Sequence, residues 1–104
     1  MRAVSDTSPI SALASIGRLS LLKSQFSEIW IPTAVSDELR LHPDPAALLS
    51  IEAADREKWI QSASLSNSHL LDILSLHLDR GEAEAIVLAT DMKVDVVLID
   101  EREG

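Results

Sequence analysis

Gly81-Glu82-Ala83-Glu84-Ala85-Ile86-Val87-Leu88-Ala89-Thr90-Asp91-Met92, then Lys93-Val94-Asp95, then Val96-Val97-Leu98-Ile99-Asp100: this stretch decides the fold. Its first part predicts a helix over Glu82 to Met92, with Ala85, Ile86 and Ala89 recurring on one face. Its last part, Val96 to Ile99, is a continuous apolar run of the kind buried on both faces of a parallel sheet. Helices alternating with such strands mark an α/β protein.

The same alternation runs outward to the N-terminus. Ala3-Val4-Ser5 predicts a short strand. Asp6-Thr7-Ser8-Pro9 then leads into a helix over Ile10 to Ile16, with Ser8 as N-cap, Pro9 at the first helical position and Gly17 as its stop. A second short helix is expected over Arg18 to Ser24. Glu28 to Ile31 predicts a strand closed by Pro32, and Thr33 caps a helix reaching Leu41. His42-Pro43-Asp44-Pro45 is a turn built of strong breakers. An amphipathic helix follows to Glu57, then a strand at Trp59-Ile60-Gln61. Ser62 to Ser68 reads as a loop, His69 to Leu78 as a helix, and Arg80-Gly81 as the break that ends it. The expectation is an α/β fold with a parallel β-sheet flanked by helices, one domain over residues 1–104.

Composition narrows the function. The 104 residues carry 9 Lys+Arg against 17 Asp+Glu, a net charge of −8, and no cysteine. A disulfide scaffold and a thiolate zinc site are excluded. No apolar run approaches the roughly 18 residues that span a bilayer, so no membrane association is expected. The N-terminal apolar stretch is too short for a signal peptide, which makes a cytoplasmic protein the default. A protein that coats nucleic acid by charge alone should be basic, and this one is acidic. An enzyme whose carboxylates hold cations fits the same balance.

The acids are therefore the residues to place. Chemistry in open parallel sheets gathers beyond the carboxyl ends of the strands. Asp6 follows the first strand, and Asp100 follows the last. On the helix beginning at Glu82, Ala85, Ile86 and Ala89 all fall within about 60° of Glu82, whereas Glu84 and Asp91 fall at about 200° and about 180°. Glu82 thus rides the stripe facing the sheet, and Glu84 reads as a solvated acid. A carboxylate on a buried stripe costs several kcal/mol unless compensated, and a bound cation compensates it. The bland alternative is a first-turn acid favoured by the helix dipole. On the helix after Pro32, Glu38 at about 140° lies between Ala34 at about 100° and Val35 at about 200°. Asp37 takes the other side. Four carboxylates sharing one sheet edge would repel each other without cations, and oxygen ligands select Mg²⁺ or Mn²⁺. Such ions acidify water and clamp a phosphodiester during hydrolysis.

Four segments, Val4-Ser5-Asp6-Thr7-Ser8-Pro9-Ile10, Ile31-Pro32-Thr33-Ala34-Val35-Ser36-Asp37-Glu38-Leu39, Gly81 to Ala89, and Leu98-Ile99-Asp100-Glu101-Arg102, together resemble a PIN-domain protein of the short prokaryotic PIN-like branch. The resemblance implies a three-layer fold and a Mg²⁺- or Mn²⁺-dependent ribonuclease acting on RNA. It also implies a VapC-type toxin of a toxin–antitoxin pair, blocked by a small antitoxin protein. The family acids match Asp6, Glu38, Glu82 and Asp100, with Glu101 competing for the last position. Thr7 and Ser8 match the hydroxyl residues beside the first acid, where they orient water.

Family chains continue past the fourth acid with a basic stretch, helices and a further strand. The chain is therefore expected to be incomplete at its C-terminus, with a homodimer covering the gap. Rival readings are a silent PIN-like module that binds a protein partner, a haloacid-dehalogenase-type phosphatase and a phosphoacceptor receiver. The phosphatase wants an acid where Ser8 stands, and the receiver wants a lysine after the last strand. No G-x-S-x-G elbow supports a serine hydrolase. His42, His69, His77, Trp30, Trp59 and Arg102 are read as structural or solvated.

Overall fold

The computed structural model of the protein describes residues 1–66 and 68–99. Strands β1 (Arg2–Ser5), β2 (Glu28–Pro32), β3 (Ile60–Ala63) and β4 (Val97–Leu98) form one sheet in the order β3-β2-β1-β4, every adjacent pair parallel. Helices α1 (Thr7–Ser15) and α2 (Ser20–Gln25) connect β1 to β2; α3 (Thr33–Leu39) and α4 (Pro45–Arg56) connect β2 to β3. Helices α5 (Ser68–Leu74) and α6 (Arg80–Met92) precede β4. This is the expected α/β architecture, and helical crossovers are what parallel pairing requires.

The pleat sorts side chains to two faces. Ile29, Ile31 and Ile60 join a core with Ile10, Val35, Leu39 and Ile51, under helices α1 to α4. Val4, with Trp30 and Val97 packed beside it, meets Ala85, Leu88 and Ala89 of α6 on the opposite face. Leu71 of α5 then packs on Ala83 and Val87, so α6 is buried on two sides. Trp59 sits in the first core just before β3, a structural place as read from the sequence.

The strand expected at Val96 to Ile99 forms, but it is shorter and less buried than the reading of a run buried on both faces. Only Val97 and Leu98 pair, with β1 as their one neighbour among the described residues, and both are half-buried. The run is apolar because Val97 packs into one core and Leu98 against the other, which an edge position also satisfies.

Several helix ends also differ from the expectation, because side-chain caps competed with the breakers. Asp6, not Ser8, caps α1: its Oδ1 accepts the N–H of Thr7 at 2.8 Å. Thr33 is the first residue of α3, whose N-cap Pro32 has no side-chain acceptor to cap with. Arg80 and Gly81 do not break a helix but open one; the interruption falls at residues 75–79, and Asp79 caps α6 by accepting the N–H of Glu82 at 2.8 Å. Gly17 ends α1 as expected, with φ at +71°.

His42 staples its turn. Nδ1 accepts the N–H of Asp44 at 3.1 Å, so Nε2 carries the proton and donates to Ser15 Oγ at 2.9 Å. Ser15 in turn donates to the carbonyl of Ser11.

Candidate functional site

Beyond the carboxyl ends of β1 and β2 the chain opens a concavity of about 300 Å³. Asp6 enters it from the β1–α1 junction, Glu38 from the last turn of α3 and Glu82 from the first turn of α6. Thr7 and Ser8 line it beside Asp6, and Asp79, Arg80 and Gly81 complete its wall. Three of the four acids expected from the sequence therefore share one cavity, brought together from segments more than thirty residues apart. Asp100 and Glu101 lie outside the described residues.

Each acid is held differently. Asp6 is half-buried; its N–H donates to the carbonyl of Leu98 at 3.0 Å, tying the start of the loop to β4. Its Oδ1 is committed to the α1 cap, accepting the N–H of Thr7. Ser5, fully buried just before it, donates to the Asp6 carbonyl at 2.8 Å. Glu38 is exposed, so it faces the cavity from the rim and not from the apolar arc that Val35 and Leu39 bury. Glu82 is half-buried, beside the buried Ala85 and Ala89. Partial burial raises its carboxyl above the usual glutamate range; the charge of Asp79, a hydrogen bond with the Asp79 side chain and the charge of Asp6 push the same way.

Gly81 decides how close α6 comes. A Cβ at that position would stand 2.8 Å from Asp6 Oδ1, so any larger residue would have to displace this carboxylate. Thr7 Oγ1 is buried without a hydrogen-bond partner among the described residues.

Sequence reasoning missed Asp79, Gly81 and Glu84. The first had a signal: Asp79 followed by Glu82 three residues on is a capping pattern. Gly81 had none, since its role is an approach between distant segments. Glu84 was read as solvated and is buried, because α5 covers a second face of α6. It contacts Arg80 one turn earlier at 3.4 Å.

Could the cavity take a hard cation? The donors are all oxygen, the charges of Asp79 and Asp6 already raise Glu82, and a hydroxyl beside Asp6 is orphaned. That chemistry fits Mg²⁺ or Mn²⁺. The carboxylates line the cavity without closing on one point: among the described residues no three ligating side chains form a metal-sized cluster. A second cavity, of about 290 Å³, lies between α3, α4 and β3 over Ile31, Leu39, Ile51 and Ile60. Its charged residues mix Arg40 and Arg56 with Glu52 and Asp55, and no set of like groups is focused there.

No helix of the described residues is long and apolar enough to cross a membrane. A family model described as a PIN domain matches residues 2–104. No curated protein and no solved structure gives a match.

Proposed function

Given that the chain belongs to the PIN-domain family, we propose that it is a divalent-metal-dependent ribonuclease that hydrolyses phosphodiesters of single-stranded RNA. Nuclease activity in general, with divalent-metal dependence, goes with the family. The observation that carries the finer reading is that Asp6, Glu38 and Glu82, from three separate helix ends, line one cavity at the carboxyl edge of a parallel sheet. Asp100, with Glu101 beside it, is the fourth acid of this proposal.

Asp6, Glu38, Glu82 and Asp100 would hold the ion. When bound, Mg²⁺ or Mn²⁺ supplies positive charge that acidifies water and offsets the charge gathered on phosphate. The chain's own residues do the positioning. The Thr7 N–H fixes Asp6 through Oδ1. Gly81 lets α6 approach, and the Asp79 cap holds the helix start that carries Glu82. The partial positive charge of that helix start favours an acid in its first turn. Ser8 stands on the cavity wall next to Asp6, where a hydroxyl orients water, and the buried Thr7 Oγ1 lies behind it.

As a further part of this proposal the protein is the toxin of a type II toxin–antitoxin pair, with a small protein as its inhibitor. The deciding experiment is cleavage of a labelled single-stranded RNA in Mn²⁺ by wild type and by Asp6→Asn. Cleavage by wild type alone supports the nuclease. Equal cleavage or none in both favours a PIN-like module that only binds a protein partner.

A further inference from the structure

We propose that Arg80 grips an RNA phosphate at the lip of the carboxylate cavity, and that the buried Glu84 is its positioning residue. This rests on the nuclease reading for its substrate, and its test is built to fail separately.

Among the described residues, Arg80 is the only cation lining a cavity otherwise walled by Asp6, Glu38, Asp79 and Glu82. A polyanion approaching that wall needs a local positive charge besides any metal. Arg80 also stands where a helix disfavours it: in the first turn of α6, positive charge loses rather than gains from the helix dipole. Glu84 is in an equally costly place. Its side chain is 11% exposed, and charged side chains are rarely buried unless paired. Its one ionic partner among the described residues is Arg80, whose own side chain is 66% exposed.

The contact geometry points the same way. Arg80 donates through Nε to Glu84 Oε1 at 3.4 Å. Both Nη groups are left without a hydrogen bond among the described residues. A guanidinium engaged at Nε leaves its remaining nitrogens as a planar fork, the geometry that matches phosphate oxygens. Glu84 thus acts through Arg80, one helical turn away, and does not touch the substrate.

The test measures binding apart from cleavage. A fluorescent single-stranded RNA is titrated against the Asp6→Asn protein in Mg²⁺ across a salt series. Adding Arg80→Gln is expected to weaken binding about tenfold and to reduce the salt slope by roughly 0.7, the loss of one phosphate contact. Arg80→Lys should restore the slope but not the full affinity. Glu84→Gln should weaken binding with Arg80 present and have no effect on the Arg80→Gln protein. Thermal melts identify any variant that fails to fold, in which case the lysine variant carries the comparison. Unchanged affinity and slope on adding Arg80→Gln, or on adding Arg80→Lys an affinity equal to that of the Asp6→Asn parent, would overturn the proposal. A wild type that never cleaves RNA but binds it through Arg80 would overturn the nuclease reading and leave this one standing.

Discussion

Gly81 rests directly against Asp6: a Cβ on residue 81 would stand 2.8 Å from Asp6 Oδ1, closer than real Cβ contacts allow. Moving the carboxylate aside would break a hydrogen bond, since the same oxygen holds the N–H of Thr7.

Gly81→Ala is therefore expected to separate stability from activity. Displacing Asp6 weakens its cap by about 0.5–2 kcal/mol. Alanine in the helix returns up to about 1 kcal/mol over glycine. Thermal melts should change little, whereas RNA cleavage should fall at least tenfold. Wild-type turnover in this variant would show that Asp6 tolerates displacement and that the close approach is irrelevant.

Two substitutions of Asp6 should split its two jobs. Asparagine caps helices about as well as aspartate, so Asp6→Asn keeps the start of α1 and removes the charge. Its melting temperature should match wild type while cleavage is lost. Asp6→Ala should lose activity and about 1 kcal/mol of stability as well. Denaturant titration of both variants checks the difference.

Glu82 gives a pH signature with a definite sign. Its carboxyl is raised in the folded protein by partial burial, by Asp79 and by Asp6. An acid whose folded pKa lies above its unfolded value holds its proton more tightly when folded. Stability is then fully present below the ordinary glutamate range and declines as pH rises through the raised value. Glu82→Gln should flatten that decline, leaving melts unchanged in acid and raised near neutrality. A variant with the wild-type pH profile would contradict the assignment.

Divalent ions should relieve the same repulsion. A ligand at a hundred times its dissociation constant adds about 2.7 kcal/mol to folding stability. Mn²⁺ is expected to raise the melting temperature of wild type, with the gain reversed by a chelator and reduced in Asp6→Asn. A melt insensitive to Mn²⁺ up to millimolar concentration would argue against a metal centre.

Asp79 caps α6 and charges the cavity. Asp79→Asn should keep the cap and bring the Glu82 carboxyl back toward its usual range, observable by NMR titration. Asp79→Ala should lose about 1 kcal/mol. If the Glu82 titration is identical in Asp79→Asn, Asp79 is not among the charges that raise it.

The strands and most helices were legible because their signals are local. Val4 on β1, Ile29 and Ile31 two apart on β2, and Ile60 on β3 are buried, and Pro32, Gly17 and the turn at 42–45 punctuate the chain where the structure turns. Helix starts were less legible. Ser8 and Thr33 looked like caps, but Asp6 and Pro32 hold those positions, since several polar residues in a row compete for the same orphan N–H groups. Of the site, the sequence made Asp6, Glu38 and Glu82 candidates by face and by position after a strand; all three line the cavity.

Local pattern sets the order of elements and which stripe of each is apolar, because periodicity depends on neighbours a turn or a pleat away. Long-range packing sets which elements cover those stripes. α5 lying on α6 turned Glu84 from a solvated acid into a buried one, and the meeting of β1 with β4 at the sheet edge demoted an apolar run to a two-residue strand. The approach of Gly81 to Asp6 belongs to the same class: it depends on packing between residues seventy-five positions apart, which no local pattern encodes.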